Sequence, residues 1–221
     1  LTLKKSVKEI LRQVYFELFH PCYGCNRYGF FKPLCLDCSQ ALKPNAKRFK
    51  IENYEDVLTI FDYAYTYRKM HNMYKFRLNQ AIGDYLSLRL LESFPQVNYD
   101  YIDLCIPIAQ TSTNILRRGF NTNKQLYKQL MHIKKIPYAD VLECSKIETS
   151  HFLLNKQERF TAVKNKFRIK QPINADLVGK TVLVVDDIFT TGATLTEVGK
   201  LLKQNGVKKI YGLCLAKTPL K

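Results

Sequence analysis

Acidic residues are scarce in this chain. Nineteen Asp and Glu stand against thirty-five Lys and Arg in 221 residues, a formal charge of +16. A soluble protein of that sign usually meets polyanions, whether nucleic acid, acidic lipid or phosphorylated metabolites. Long apolar runs are missing too: no segment approaches the roughly eighteen residues of a membrane-spanning helix. The N-terminus lacks the continuous apolar segment and small-residue cleavage site of a secretory signal, so a cytoplasmic location is expected. No G-x-x-x-x-G-K-[ST] occurs, which excludes a P-loop NTPase, and repeats and low-complexity tracts are absent. What is present, 46% apolar residues, suffices for one main domain with a small appendage.

Cysteine gives the first positive signal. Four of the seven stand in Cys22-x2-Cys25-x9-Cys35-x2-Cys38, whereas Cys105, Cys144 and Cys214 are scattered among apolar neighbours and read as core thiols. Clustered pairs in an odd total fit metal ligation better than disulfides. Four thiolates can converge on a tetrahedral Zn²⁺, and a set of four leaves no open coordination position, so the ion would be structural. Ahead of the cysteines, Leu3, Val7, Ile10, Leu11, Val14 and Leu18 recur at helical spacing with Lys4, Lys5, Lys8 and Arg12 largely opposite. Such a helix covers its own domain or lies on an acidic membrane surface. "ALKPNAKRFK", residues 41–50, reads as a linker. The expected organisation is a helix over 1–20, a four-cysteine zinc ribbon over 21–45 and a main domain over 46–221.

Within that domain, "VLTIFDYAYTY" (57–67) predicts a hairpin or edge strand and residues 73–94 predict one helix ending before Pro95. Residues 99–109 predict a buried strand, and a helix follows near 122–133. At 182–194 "VLVVDDIFTTGAT" leads into an amphipathic helix with Leu195, Val198, Leu201 and Leu202 on one face and Gly206 as its cap, then the apolar strand "KKIYGLCLA". Strand, loop, helix, strand is a βαβ unit, so the class is α/β with a central parallel sheet, and ligands are expected at the carboxyl ends of its strands.

The loop of that unit sets two acids, Asp186 and Asp187, just before Thr190, Thr191, Gly192, Ala193 and Thr194. Carboxylates repel phosphates, yet a ribose 5-phosphate suits both halves. The acids accept hydrogen bonds from vicinal hydroxyls, while the hydroxyls and unobstructed amides at a helix start favour the phosphate. Adjacent acids also exclude a phosphatase of the Asp-x-Asp type, and a divalent cation such as Mg²⁺ would relieve the remaining repulsion.

This thirteen-residue stretch resembles the phosphoribosyl pyrophosphate (PRPP) signature of type I phosphoribosyltransferases. Together with the four-cysteine N-terminus, "YKFR" (74–77), "RRGFN" (117–121) and "NKQERFTAVKNKF" (155–167), nearly the whole chain resembles the ComF family of natural-competence proteins. The pattern is departed from at Asn121–Thr122, His151 and Ala162. The resemblance implies a type I phosphoribosyltransferase-like domain with a central parallel sheet, preceded by a zinc ribbon. It implies a PRPP site with Mg²⁺ at Asp186, Asp187 and Thr190–Thr194, a pyrophosphate loop at Ala109, Gln110, Thr111 and Ser112, and a basic flap over 145–175. Transferase chemistry there would pass through an oxocarbenium-like centre that needs charge stabilisation rather than a side-chain nucleophile. It further implies handling of incoming single-stranded DNA beside import helicase or channel proteins; peripheral contact at the inner membrane through the basic helix over 1–20 stays open beside packing on its own domain.

Cations interleaved with aromatics suit single-stranded nucleic acid. The candidates are Arg27 and Lys32 in the ribbon, Lys47 and Arg48, then Arg68, Lys75 and Arg77, and Arg117 and Arg118, with Phe49, Tyr67, Tyr74 and Phe120 among them. Two alternatives stay open: an active phosphoribosyltransferase of nucleotide salvage, and a nucleotide-sensing regulator that binds RNA.

Overall fold

A computed structural model describes residues 21–27, 33–93, 101–145, 164–171 and 176–219. The helix expected over 1–20, Lys32, and the flap positions 146–163 and 172–175, with His151 and Ala162, lie outside the described residues. In chain order the elements are α1 (Leu36–Ala41), β1 (Lys47–Phe49), β2 (Asp56–Asp62), α2 (Tyr65–Phe76), α3 (Gln80–Ser93), β3 (Leu104–Pro107), α4 (Ser112–Arg118), α5 (Thr122–Lys134), β4 (Leu142–Cys144), β5 (Phe167–Ile169), β6 (Thr181–Phe189), α6 (Ala193–Gln204) and β7 (Lys209–Lys217).

Five strands form the main sheet in the order β1-β2-β7-β6-β3. The last four are parallel, as the expected central parallel sheet requires, and β1 runs antiparallel on the β2 edge, so the sheet as a whole is mixed. The β6-α6-β7 unit forms as the sequence pattern requires: Leu195, Val198 and Leu202 are buried, and Gly206 adopts φ 84° behind the helix. A separate antiparallel pair, β4 and β5, packs elsewhere.

Strand parity divides the core into two clusters. Leu183 and Val185 of β6 join Leu213 and Leu215 of β7 under α2, α3 and α5. Val182 and Val184 join Ile210 and Cys214 beneath α6 and the β4–β5 pair. Since alternate residues face opposite sides of a sheet, Asp186 and Asp187 are delivered to different faces as β6 emerges from the core. The first cluster also contains Cys22, Leu34, Cys38 and Leu42, so the four-cysteine segment packs onto the same core as the helices.

Two expectations need correction. Residues 65–67 are the first turn of α2 rather than strand, because Tyr67, Met70, His71 and Tyr74 recur at helical spacing and are all buried. Burial of that stripe overrides the aromatic and β-branched propensity that favoured a strand. The helix expected over 73–94 is two helices. The chain breaks at Arg77–Asn79, where Leu78 takes φ 56° and the Asn79 side chain accepts the Ile82 N–H at 3.4 Å.

Candidate functional site

The carboxyl ends of β3 and β6 lie side by side, Pro107 registering with Val185 and the Ile108 N–H donating to the Val185 carbonyl at 2.9 Å. This brings the 108–112 segment against the two acids. A cavity of about 160 Å³ opens there, lined by Asp186, Ala109, Gln110, Thr111, Asn114, Asn123, Lys75, Arg118, Cys144 and Lys166 among others. A larger one, about 540 Å³, runs beside α5 with Lys124, Lys128 and Lys135 on its walls. It holds no carboxylate and none of the motif residues; the smaller cavity gathers Asp186 with Ala109, Gln110 and Thr111, whereas Asp187, Ser112 and Thr190–Thr194 are not among its lining residues.

The adjacent acids have different surroundings. Asp186 is partly exposed on the cavity and accepts from Asn123 Nδ2 at 3.0 Å and from the Asp187 amide at 2.9 Å. Burial, with the Asp187 charge beside it, pushes its carboxyl up to about 7. Asp187 is 5% exposed and turned inward, where its Oδ2 accepts from His71 Nε2 at 2.9 Å and from the Lys75 ammonium. Burial alone would raise its pKa, but Lys75 and His71 outweigh that and hold it far below the usual carboxylate range. An isolated buried carboxylate would cost several kcal/mol in lost hydration, so a paired cation is what keeps this one ionised. Burial lowers the His71 pKa despite the carboxylate.

The Thr190–Thr194 loop turns at Gly192, whose φ of 85° places it in the left-handed region and whose carbonyl accepts the Thr196 N–H at 2.9 Å. A Cβ there would also sit 3.0 Å from Ile51. The loop starts α6, and within it the Thr191 hydroxyl accepts the Ala193 N–H at 3.4 Å. From below, the buried Lys217 ammonium donates to the Thr190 and Thr218 carbonyls at 2.9 and 2.6 Å, within 5.2 Å of the Phe189 ring centroid. In the 109–112 segment, Thr111 caps α4 by accepting the Asn114 N–H, and Gln110 bonds Thr122 and Arg118. Asn121 caps α5, accepting from Lys124 N at 3.1 Å.

The four cysteine sulfurs lie within 4.8 Å of one another. Thiolates around tetrahedral zinc sit roughly 3.8 Å apart, and Cys25 and Cys35 are at 3.7 Å, so the set fits such an ion. The Cys35 amide donates to Cys22 Sγ at 3.3 Å. A Cβ on Gly24 would fall 2.5 Å from Cys38 Sγ and 2.9 Å from Thr66, so only glycine lets this turn close against α2. The thiols differ in their surroundings: Arg27 draws Cys25 down to about 6, whereas burial pushes Cys38 up to about 12. A divalent ion would take all four as thiolates.

Several of the basic candidates have acidic partners. Arg27 pairs with Asp37 at 2.7 Å, Lys47 with Asp62 at 2.6 Å and Arg48 with Asp56. Arg68 and Arg77 are exposed. Lys75, Arg117 and Arg118 do come together: Arg118 Nε donates to the Lys75 carbonyl at 3.2 Å, and both guanidinium groups lie 5.8 Å from the Phe76 ring centroid. Tyr67 and Tyr74 are core residues whose hydroxyls donate to the Asp187 and Thr122 carbonyls. His71, Asn123 and Lys217 went unnoticed in the sequence, and Lys166, one of the cations of the basic 145–175 stretch, lines the cavity. For His71 a signal existed, its four-residue spacing from Tyr67 and Lys75, but it is readable only once that stretch is seen as helix.

The chain is similar to several known proteins. Residues 114–219 match the family model of the phosphoribosyl transferase domain. The DNA utilization protein YhgH of Escherichia coli (strain K12) is 28% identical over 172 residues, covering 75% of this chain and 73% of that protein. Competence protein F of Haemophilus influenzae is 26% identical over 207 residues, covering 88% and 90%. Competence protein ComFC of Streptococcus pneumoniae is 29% identical over 162 residues, covering 72% and 66%. Among solved structures, a purine phosphoribosyltransferase from Pyrococcus horikoshii aligns at 26% identity over 62% of this chain and 74% of that one, with a TM-score of 0.39. The chain is thus similar to the proteins named competence protein F, ComFC and YhgH, with residues 114–219 matching a phosphoribosyl transferase domain and a four-cysteine cluster at its N-terminal side.

Proposed function

We propose that this protein serves natural transformation, handling incoming single-stranded DNA and recognising a ribose phosphate such as PRPP at the two-acid loop. The observation that carries the sugar-phosphate part is the convergence on one cavity of Asp186, the 109–111 segment and the cations Lys75 and Arg118, while the Gly192 turn follows the acids at the start of α6. The competence part is supported by the names of the relatives. In this reading Asp186 accepts from the ribose hydroxyls, the Thr190–Thr194 loop seats the 5-phosphate, and Ala109, Gln110, Thr111 and Ser112 flank a diphosphate. Mg²⁺ is commonly held by one or two carboxylates together with ligand phosphates, and Asp186 is the carboxylate on the cavity that suits that role. When bound, the ion would neutralise diphosphate charge. Residues 21–45 act as a zinc ribbon and 46–221 as the transferase-like domain.

DNA is held by phosphate contacts from Arg68, Arg77, Arg117 and their neighbours, so affinity should fall steeply as salt rises. The deciding experiment is transformation frequency in the source organism carrying Asp186→Asn, with protein level and uptake of duplex DNA into the envelope both measured. A fall with both controls normal supports the reading; normal transformation beside a defective null strain removes the sugar-phosphate site from import. Turnover is the second reading, favoured by the transferase domain match. Base-dependent release of pyrophosphate from Mg²⁺-PRPP would establish it.

A further inference from the structure

Tyr67, His71 and Lys75 stand one turn apart on α2, and all three reach Asp187. The Tyr67 hydroxyl donates to its carbonyl at 3.4 Å, while His71 Nε2 and the Lys75 ammonium donate to the same carboxylate oxygen. The chain of contacts runs from the interior outward. His71 and Asp187 side chains are 5% and 7% exposed, Lys75 is 17% exposed, and of the three only Lys75 lines the cavity. Arg118 is fixed beside it, its Nε bonded to the Lys75 carbonyl near the end of α2 and Nη1 to Gln110 at 3.4 Å.

We propose that His71 and Asp187 are positioning residues that hold the Lys75 ammonium on the cavity wall, where Lys75 and Arg118 receive a second anionic group of the ligand, separate from the phosphate at Thr190–Thr194. This rests on the ribose-phosphate reading of the site. A free lysine side chain carries about 2 kcal/mol of rotamer entropy, and an ammonium already fixed against a buried carboxylate has lost it before the ligand arrives. The charges leave room for an anion: Asp187 offsets one of the two cations, and the other is uncompensated by it. His71 is suited to its place because a neutral ring donates from Nε2 to the carboxylate without adding a charge. Its Nδ1 has no hydrogen-bond partner among the described residues, so the ring is held by the Nε2 contact to Asp187 together with its stacking on Tyr67 and its edge contact with Tyr63.

The test compares inorganic pyrophosphate with ribose 5-phosphate by calorimetry on the full chain, with thermal unfolding of each variant as the fold control. Lys75→Met and His71→Leu should each weaken pyrophosphate about tenfold, the size of one charge-assisted hydrogen bond, and ribose 5-phosphate by less than about threefold. His71→Gln, whose amide can still donate, should stay near wild type. Asp187→Asn should also weaken pyrophosphate, although it removes a negative charge; tighter binding in that variant overturns the proposal. Equal weakening of both ligands, or none, in His71→Leu overturns it as well. Should that variant fail to fold, Lys75→Met and Asp187→Asn carry the same comparison. Wild-type protein that binds neither probe overturns the ribose-phosphate reading and this one with it, whereas binding of both with indifferent variants removes this one alone.

Discussion

The four cysteines and the two acids are both short motifs, yet the chain completes them in opposite ways. The cysteine cluster is finished locally: four ligand atoms from Cys22 to Cys38 meet within 4.8 Å, and the turn around Gly24 brings them together. The acids are finished from afar. Asp187 takes its partners from residues 71 and 75 and Asp186 from residue 123, and the wall beside them comes from residues 110, 111 and 118. A site whose geometry is set by spacing can be read from spacing, whereas one closed by long-range packing shows only the half that lies on one strand.

The comparison breaks first at the cysteines. Cys38→Ser should abolish stoichiometric zinc and, because Cys22 and Cys38 belong to the main core, lower Tm by about 10 °C, as loss of several kcal/mol would in a chain of this size. An unchanged Tm with the ion lost would show that the cluster is energetically separate. At the acids, the two positions should differ clearly in cost. Asp187→Ala strands Lys75 and should cost about 3–5 kcal/mol in denaturant unfolding. Asp186→Ala removes a carboxyl that burial already disfavours as an anion, and should cost less than about 1 kcal/mol. Equal costs would erase the division of labour.

Gly192→Ala should destabilise by about 1–2 kcal/mol, since φ 85° is left-handed backbone, and should loosen ribose 5-phosphate binding more than pyrophosphate binding. The finest probe is pH. With its carboxyl raised to about 7, Asp186 is mostly protonated below that value and mostly an acceptor above it. Ribose 5-phosphate affinity should therefore fall as pH drops through about 7, by up to about tenfold per unit, beyond the ligand's own titration. In Asp186→Asn only the ligand's own dependence should remain.

Much of the fold was legible where one physical signal dominated. The β6-α6-β7 unit follows from a valine-rich strand, a Thr-Thr-Gly turn and a three-residue apolar stripe, all pointing one way. The stretch 57–67 misled because its β-branched and aromatic residues favour a strand, while the burial of Tyr67 and His71 that decides for helix depends on a sheet formed by residues over a hundred positions later. The break at Leu78 carried no Gly or Pro to announce it. Of the basic residues, charge alone could not tell Arg118, buried and bonded to Gln110, from Arg77 in solvent. Sign is a property of composition, but direction belongs to the packed chain.

Helix α2 touches both regions. Its first turn, at Thr66, abuts the cysteine turn, and its last turn, at Lys75, closes on Asp187. Twelve residues of helix make a strut about 18 Å long. One rigid rod thus bears on both regions, and a variant that loosens the cysteine turn is expected to shift Lys75 as well.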